Sequence, residues 1–290
     1  MIKGCVVALV TPMQNDGAVD FSALQNLLDW HLASGTKGIV ILGTTGESPT
    51  IQENEREDII RFTVKHAQKR YPVIVGTGSY STGETIKYTR QAKELGADAV
   101  LIVTPYYNKP TQEGLFQHYS AVAAAVDIPI IMYNVPGRTA CDMKPETVAR
   151  LAKVKNIIGI KECADLDRVQ QLRKSCGENF ILVSGNDDSA LEFTLLGGDG
   201  VISVTANIVP NEMRLMYEAA LNGEVEKAKQ LNEKLQGLHH NLFVEANPIP
   251  VKWSLMRIGK IGEYIRLPLT PLASVHHELL ENTLNQAGLL

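Results

Sequence analysis

Short apolar segments alternate with longer amphipathic segments along most of the chain. Eight of the apolar segments are rich in Val, Ile and Leu, as expected of parallel strands that are covered on both faces. The predicted strands are residues 6–10, 38–42, 73–76, 99–103, 130–133, 157–161, 181–184 and 201–204.

An amphipathic segment with the periodicity of an α-helix follows every predicted strand. Ser81-Thr82 and Thr111 offer N-caps, and Pro145 stands at a first helical position. Gly35 and Gly96 stand where helices are expected to end. The predicted helices are residues 21–33, 53–68, 82–95, 112–125, 145–152, 166–174, 189–195 and 212–221.

Eight strand–helix units predict an α/β fold, a (β/α)8 or TIM barrel, in residues 1–223. An open doubly wound sheet is the alternative, but the place of its usual Gly-rich turn holds Thr11-Pro12-Met13. Beyond this barrel the strand pattern stops, and residues 224–290 are predicted to form a helical C-terminal region packed on it. The predicted helices of this region are residues 224–238, 250–258 and 273–286.

The composition is that of an ordinary globular protein. Apolar residues make up 44% of the 290 residues, and a net charge of −4 gives no reason to expect a nucleic acid or an anionic membrane as a partner. The four cysteines lack the close spacing of zinc sites and disulfide frameworks, which indicates a reducing compartment such as the cytoplasm. The apolar run at 6–10 is too short for a membrane span, and we interpret it as a strand, with a secretory signal as the alternative.

Lys161 ends the sixth predicted strand and is the strongest candidate for chemistry. A charged amine at the end of a buried apolar strand is costly unless it has a partner or a function. Burial favours the neutral amine, which can attack a carbonyl group and form a Schiff base. The alternatives are a side chain that extends to solvent or an ion pair with Glu162.

Two further polar residues are expected beside Lys161, because active sites of TIM barrels lie at the C-terminal ends of the strands. Tyr133 ends the fifth strand, and the period-two alternation places it in phase with Lys161. A phenol in that position can relay the protons of imine formation. Arg138 follows a Pro-Gly turn and can bind a carboxylate with two parallel hydrogen bonds, or it is an ordinary surface arginine.

Two other loops at the predicted mouth carry candidate residues. The segment 43–47 (Gly-Thr-Thr-Gly-Glu) can turn sharply and present backbone N–H groups to a carboxylate, and a tight turn with N-capping threonines is the alternative. The segment 104–108 contains Tyr106 and Tyr107, which are predicted to be exposed. These tyrosines either pack on a partner subunit or take part in a proton relay.

The sequence gives little support to a metal or a phosphate site. Asp187 and Asp188 follow the seventh strand and could ligate a metal, but we interpret them as caps of the next helix. None of the seven histidines lies at a strand end, so they are predicted to be helix-surface or core residues. The segment after the eighth strand contains no glycine, which argues against a phosphate ester as substrate.

Three motifs together resemble the pyruvate-dependent class I aldolase superfamily, which includes the N-acetylneuraminate lyases and the dihydrodipicolinate synthases. The motifs are GTTGE at 43–47, YNVPGRT at 133–139 and GIKE at 159–162, on the second, fifth and sixth strands. The similarity extends from residue 4 to the segment NPIPVK at 247–252. Arg138 and Tyr107 favour the dihydrodipicolinate synthase family, because the sialic-acid lyases lack that arginine.

The resemblance implies an enzyme that condenses pyruvate with L-aspartate 4-semialdehyde in the diaminopimelate and lysine pathway, without an organic cofactor or a metal. Lys161 would form the imine, and the implied proton relay consists of Tyr133, Thr44 and Tyr107. The backbone N–H groups of Thr44 and Thr45 would hold the carboxylate of pyruvate, and Arg138 that of the aldehyde. The implied substrate-binding positions are Thr45, Arg138, Gly185, Ile202 and Ser203.

The resemblance also implies self-association, as a homotetramer built from two tight dimers, with Tyr107 reaching a neighbouring active site. Feedback-inhibited members of the family bind lysine at the dimer interface. The matching positions here are Ser48, Glu84 and Tyr106, and the positions that differ from the inhibited type hold Glu53, Arg56 and Tyr80. We therefore expect weak or absent inhibition by lysine.

Three alternatives to this activity fit the sequence less well. A sister specificity, for sialic acid or a 2-keto-3-deoxy sugar acid, is the main one. A ligand-binding barrel without enzymatic activity is disfavoured, because Lys161, Tyr133 and the 43–47 loop are all present. A phosphate-binding isomerase or a metal-dependent aldolase is disfavoured by the lack of the corresponding sites.

Overall fold

A closed barrel of eight parallel strands forms the centre of the molecule. The computed structural model describes residues 2–290. Neighbours in sequence are neighbours in the barrel, and β1 closes it by pairing with β8, which confirms the predicted TIM barrel. The strands are β1 Gly4–Ala8, β2 Ile39–Ile41, β3 Val73–Gly76, β4 Ala99–Val103, β5 Ile130–Asn134, β6 Ile157–Glu162, β7 Ile181–Ser184 and β8 Gly200–Ser203.

Helices follow the strands and surround the barrel. The predicted N-caps at Ser81 and Thr111 are present, since their hydroxyl oxygens accept hydrogen bonds from backbone N–H groups three residues later. The helices are α1 Phe21–Ala33, α2 Glu53–Ala67, α3 Thr82–Glu94, α4 Gln112–Ala125, α5 Pro136–Thr139, α6 Pro145–Leu151, α7 Arg168–Cys176, α8 Ala190–Leu195, α9 Pro210–Leu221, α10 Val225–Asn241, α11 Ile249–Arg257 and α12 His277–Gln286.

Some boundaries differ from the prediction for local reasons. The first strand ends two residues early, because the backbone N–H of Val10 donates to the side chain of Asn207 and not to the ladder. The ninth helix begins two residues early, at Pro210, since a proline fits the first helical position. The one-turn helix α5 and the 3-10 turns Ser48–Thr50, Thr205–Asn207 and Ser274–His276 were not predicted.

The hydrophobic residues form two main layers. An inner cluster fills the barrel and includes Ala8, Val40, Ile74, Val183 and Ile202. A larger outer cluster lies between the strands and the helices. Alternate residues of each strand therefore enter different layers, and the inner layer ends at the C-terminal mouth of the barrel.

The helices after the barrel pack on one side of it. Helix α10 contacts α8 and α9, α12 contacts α10, and α11 lies against the 3-10 turn Thr205–Asn207. The connection before α11 and the segment after it both reach the loops at the mouth. No helix in residues 2–290 is long and apolar enough to cross a lipid bilayer.

Candidate active site

Lys161 and Tyr133 are direct neighbours at the barrel mouth. The register of β5 and β6 pairs the two residues, and both side chains are almost fully buried. The Lys161 Nζ lies 4.5 Å from the centroid of the Tyr133 ring. The Glu162 carboxylate accepts hydrogen bonds from Asn134 Nδ2 and from the backbone N–H of Cys163, so an ion pair between Lys161 and Glu162 is not formed.

Burial sets the protonation of both groups. Desolvation lowers the pKa of Lys161, and the nearby Arg138 guanidinium lowers it further, while Cys163 and Asp187 act in the opposite direction. Desolvation also raises the pKa of Tyr133, although Arg138 partly opposes this effect. The site therefore combines an amine with an increased neutral fraction and a phenol that keeps its proton.

Gly185, at the end of β7, packs directly against the Lys161 side chain. A Cβ atom on Gly185 would lie inside van der Waals contact of Lys161 Cε and Cys163 Sγ, and 3.2 Å from Lys161 Cγ. Only glycine fits this position without moving the lysine. Sequence reasoning missed Cys163, whose position two residues after Lys161 was a signal that it shares the inner face.

The loop at 43–47 has free donors at its turn. Leu42 adopts a left-handed conformation with φ 55°, and Gly76 allows the close approach that this turn needs. Among residues 2–290, the backbone N–H groups of Thr44 and Thr45 donate to no protein acceptor, and neither threonine caps a helix. Two adjacent free N–H groups can bind a carboxylate.

Thr44 belongs to a cavity of about 520 Å³ that opens at the barrel mouth. Tyr133 and Arg138 also line this cavity, whereas Lys161 does not contribute to its wall. The positions that match the effector site (Ser48, Glu84 and Tyr106) line the same cavity, as do two of the positions that differ from it (Arg56 and Tyr80). The candidate substrate and effector sites are therefore adjacent parts of one space.

Arg138 stands over this cavity on the short helix α5. The sequence predicted a Pro-Gly turn here, but Pro136 starts a single helical turn that carries the arginine. Its Nη2 donates to the backbone oxygen of Asn247 at 3.2 Å, the one hydrogen bond of this guanidinium among residues 2–290. The remaining N–H groups can receive a carboxylate.

The two tyrosines after β4 have different environments. Tyr107 is 92% exposed, adopts a left-handed conformation with φ 71°, and does not line the cavity. Tyr106 is partly buried and meets the Tyr80 ring edge-on, with 5.3 Å between the centroids. The prediction of two exposed tyrosines is therefore wrong for Tyr106, because Tyr80 covers it.

The remaining predicted positions lie at the ends of β7 and β8. Asp187 is buried and accepts hydrogen bonds from the backbone N–H groups of Val204 and Thr205, so it joins the two loops. The prediction that Asp187 caps helix α8 is wrong, since the cap position has no side-chain hydrogen bond. Within residues 2–290, the Asp188 carboxylate accepts a hydrogen bond only from the Ser189 hydroxyl.

Both predicted positions of β8 are fully buried. Ile202 belongs to the inner core of the barrel and does not line the cavity. The Ser203 hydroxyl accepts a hydrogen bond from the backbone N–H of Ala206, so it stabilises the loop that follows. Residues 2–290 contain no group of three or more His, Cys, Asp or Glu side chains that could hold a metal ion.

Arg56 fills the end of the cavity near Ser48. Its Nη1 donates to the Ser48 hydroxyl at 2.9 Å and its Nη2 to the Gly76 carbonyl at 2.7 Å. The guanidinium also lies 4.4 Å from the centroid of the Tyr88 ring. Among residues 2–290 it forms no salt bridge, and Glu84, which lines the same cavity, accepts a hydrogen bond from the Ser79 hydroxyl.

Known proteins match the whole chain. The model of the "Dihydrodipicolinate synthetase family" matches residues 1–287. The 4-hydroxy-tetrahydrodipicolinate synthases of Alcanivorax borkumensis and Methylococcus capsulatus are each 55% identical to it, over 100% of this chain and 99% and 100% of theirs. The crystal structure of the chloride-inhibited dihydrodipicolinate synthase from Acinetobacter baumannii, complexed with pyruvate, is 50% identical, covers both chains completely and superposes with a TM-score of 0.98.

Proposed function

Because the chain belongs to the dihydrodipicolinate synthetase family, we propose that Lys161 is the residue that forms the Schiff base with pyruvate. The reaction is that of a lyase which condenses pyruvate with L-aspartate 4-semialdehyde in lysine biosynthesis. The observation that carries the assignment of Lys161 is its burial next to Tyr133, in strands whose register pairs the two residues.

Burial of Lys161 supports the first step. The neutral amine attacks the ketone carbon of pyruvate, and loss of water gives an imine. The phenol of Tyr133 keeps its proton and can deliver it to the departing hydroxyl, with the Thr44 hydroxyl next in the relay. Loss of a methyl proton then gives the enamine, whose carbon attacks the aldehyde of the second substrate.

Two sites for carboxylates support the pairing of these two substrates. The free N–H groups of Thr44 and Thr45 suit the carboxylate of pyruvate, and the unoccupied donors of Arg138 suit that of aspartate semialdehyde. Gly185 packs against the Lys161 stem and Ile202 belongs to the inner core of the barrel, whereas Ser203 supports the loop that follows β8. Attack of the substrate amino group on the imine carbon releases the cyclic product and returns Lys161 to its free form.

A trapping experiment tests the assignment of Lys161. Borohydride is added with pyruvate, and the modified peptide is mapped by mass spectrometry. A stable adduct on Lys161 is expected, and an adduct elsewhere or none at all would refute the proposal. A coupled assay with pyruvate and aspartate semialdehyde, compared with cleavage of N-acetylneuraminate, separates this activity from that of the sister enzymes.

A second copy of the chain is proposed to complete the site. Tyr107 is the most exposed large hydrophobic side chain among residues 2–290 and is held in an unusual backbone conformation, which supports a contact with another subunit. We infer that it reaches the relay of a neighbouring chain, within a homotetramer made of two tight dimers. Sedimentation of the purified protein tests the assembly, and a monomer at assay concentration would refute it.

Lysine is proposed to inhibit weakly or not at all. The cavity end at Ser48 is closed by the Arg56 guanidinium, which repels an ammonium group. Glu53 forms its salt bridge with Lys87 on the surface and not with Arg56, although its charge still acts on Arg56. An inhibition constant for lysine below the millimolar range would contradict this expectation.

A further inference from the structure

The loop that carries Thr44 and Thr45 is held in place by residues far along the chain. Asn247 Nδ2 donates to the Thr45 hydroxyl at 3.0 Å, and the Thr11 hydroxyl donates to the Gly46 carbonyl at 2.7 Å. The next residue, Glu47, turns its side chain into the interior and is 3% exposed. Each residue after Thr44 is therefore fixed by a partner outside the loop.

Glu47 is the most constrained residue of the loop. Its backbone is left-handed, with φ 58°, although it is not a glycine. One carboxylate oxygen accepts from Lys252 Nζ on α11, and the other accepts from the backbone N–H of Arg266. A strained conformation of this kind persists only where the surrounding contacts determine it.

Lys252 is as deeply buried as its partner. It is 2% exposed and donates a second hydrogen bond, to the Thr11 carbonyl at 3.1 Å. Since Thr11 also holds Gly46, one ammonium group fixes two points of the loop. Taking two charges out of water is costly, and replacing such a pair by neutral groups of similar volume is often harmless to stability.

We propose that Lys252 and Glu47 are positioning residues, whose ion pair aims the backbone N–H groups of Thr44 and Thr45 at the carboxylate of the first substrate. The inference rests on the proposed function only in naming pyruvate as that substrate. The helix α11 then has a role in the active site, although none of its residues lines the cavity.

The test is a pair of charge-neutral double variants. Lys252→Met with Glu47→Gln removes both charges at similar volume. The matched control is Arg173→Met with Asp199→Asn, which removes a partly buried ion pair of 2.8 Å at the opposite end of the barrel, next to the start of β8. Pyruvate and aspartate semialdehyde are varied separately in the coupled assay, and thermal unfolding is followed for all three proteins.

The KM for pyruvate of the Lys252/Glu47 variant is expected to rise about tenfold or more, as for misaligned hydrogen bonds to a charged group. The KM for aspartate semialdehyde and the kcat should change by less than a factor of about three, because the nucleophile is untouched. The control variant should keep the parental KM for pyruvate, whatever its melting temperature. An unchanged KM for pyruvate, or an equal rise in the control, would overturn the proposal.

A conservative variant covers the case in which the double variant does not fold. Glu47→Asp keeps the charge but withdraws it by one methylene, so the KM for pyruvate should rise by a smaller factor, and an unchanged value would count against the proposal. A separate measurement on the parent protein shows whether the proposed function itself is wrong. Failure of the proposed function would appear as the absence of a pyruvate adduct in the parent protein, whereas failure of this inference leaves the parental adduct intact.

Discussion

The contact between Gly185 and Lys161 leads to a quantitative prediction for Gly185→Ala. The added Cβ would overlap Lys161 Cε and Cys163 Sγ and lie 3.2 Å from Lys161 Cγ. The Lys161 stem is flexible, so we expect it to move rather than the backbone of β7. Overpacking of this kind costs about 1–3 kcal/mol of stability, which a barrel with a large core can absorb.

The expected effect on activity is larger than the effect on folding. Restoring van der Waals contact moves the stem by roughly 1 Å, and a displacement of that size at a reacting group costs about a hundredfold in rate. This factor corresponds to about 3 kcal/mol of transition-state stabilisation. The kcat/KM for pyruvate should fall accordingly, together with the rate of borohydride trapping.

The matched control is Gly237→Ala, at a helical position where the nearest atom to the new Cβ, Thr283 Cγ2, is at an ordinary contact distance of 3.5 Å. Alanine favours a helix over glycine, so this variant should melt no lower than the parent and keep its activity. Steady-state kinetics and thermal unfolding of both variants decide the question. If Gly185→Ala kept kcat/KM within about threefold of the parent, the reasoning that Gly185 positions the lysine would be refuted.

Three other predictions follow from the same region. Arg138→Met removes a charge that lowers the pKa of Lys161, so the midpoint of pyruvate trapping should move to higher pH, and a shift to lower pH would contradict the assignment. Burial raises the pKa of Glu162 from 4.5, its value in the unfolded chain, to about 7 in the folded protein. The contribution of Glu162 to the free energy of unfolding is therefore fully present below pH 4.5 and is lost as the pH rises through 7. Glu162→Gln should therefore gain up to about 3 kcal/mol over the parent above pH 7 in unfolding titrations, and an equal gain at acid pH would argue against this cause. Finally, mixing inactive Lys161→Ala with Tyr107→Phe chains should restore activity that neither has alone, and no recovery after subunit exchange would count against a shared site.

Local pattern was sufficient to predict the fold and the central pair of the site. The apolar runs and their helical partners have strong periodicity, and it predicted all eight strands with small errors at the ends. Alternation along β5 and β6 placed Tyr133 and Lys161 on one face, and the barrel register pairs them. Both results depend on the spacing of apolar and polar residues within a single strand or helix.

The rest of the site depends on contacts between distant segments. The partners of Glu47 are Lys252 and Arg266, and no local pattern in the chain links these residues. Asp187 was expected to cap the next helix, but the turn after β8 offers it two backbone donors. Sequence patterns describe which face a side chain occupies, and they do not describe which partner it meets there.

Closure of the barrel between its first and last strands has a consequence for synthesis of the protein. Gly4 pairs with Gly200, so β1 has an open edge until the last strand has left the ribosome. Unpaired strand edges with apolar side chains are prone to aggregate, and contacts between distant segments form slowly. During translation the partial sheet must therefore be protected from aggregation. The growing chain most needs a chaperone in the time between synthesis of the first strand and synthesis of the last.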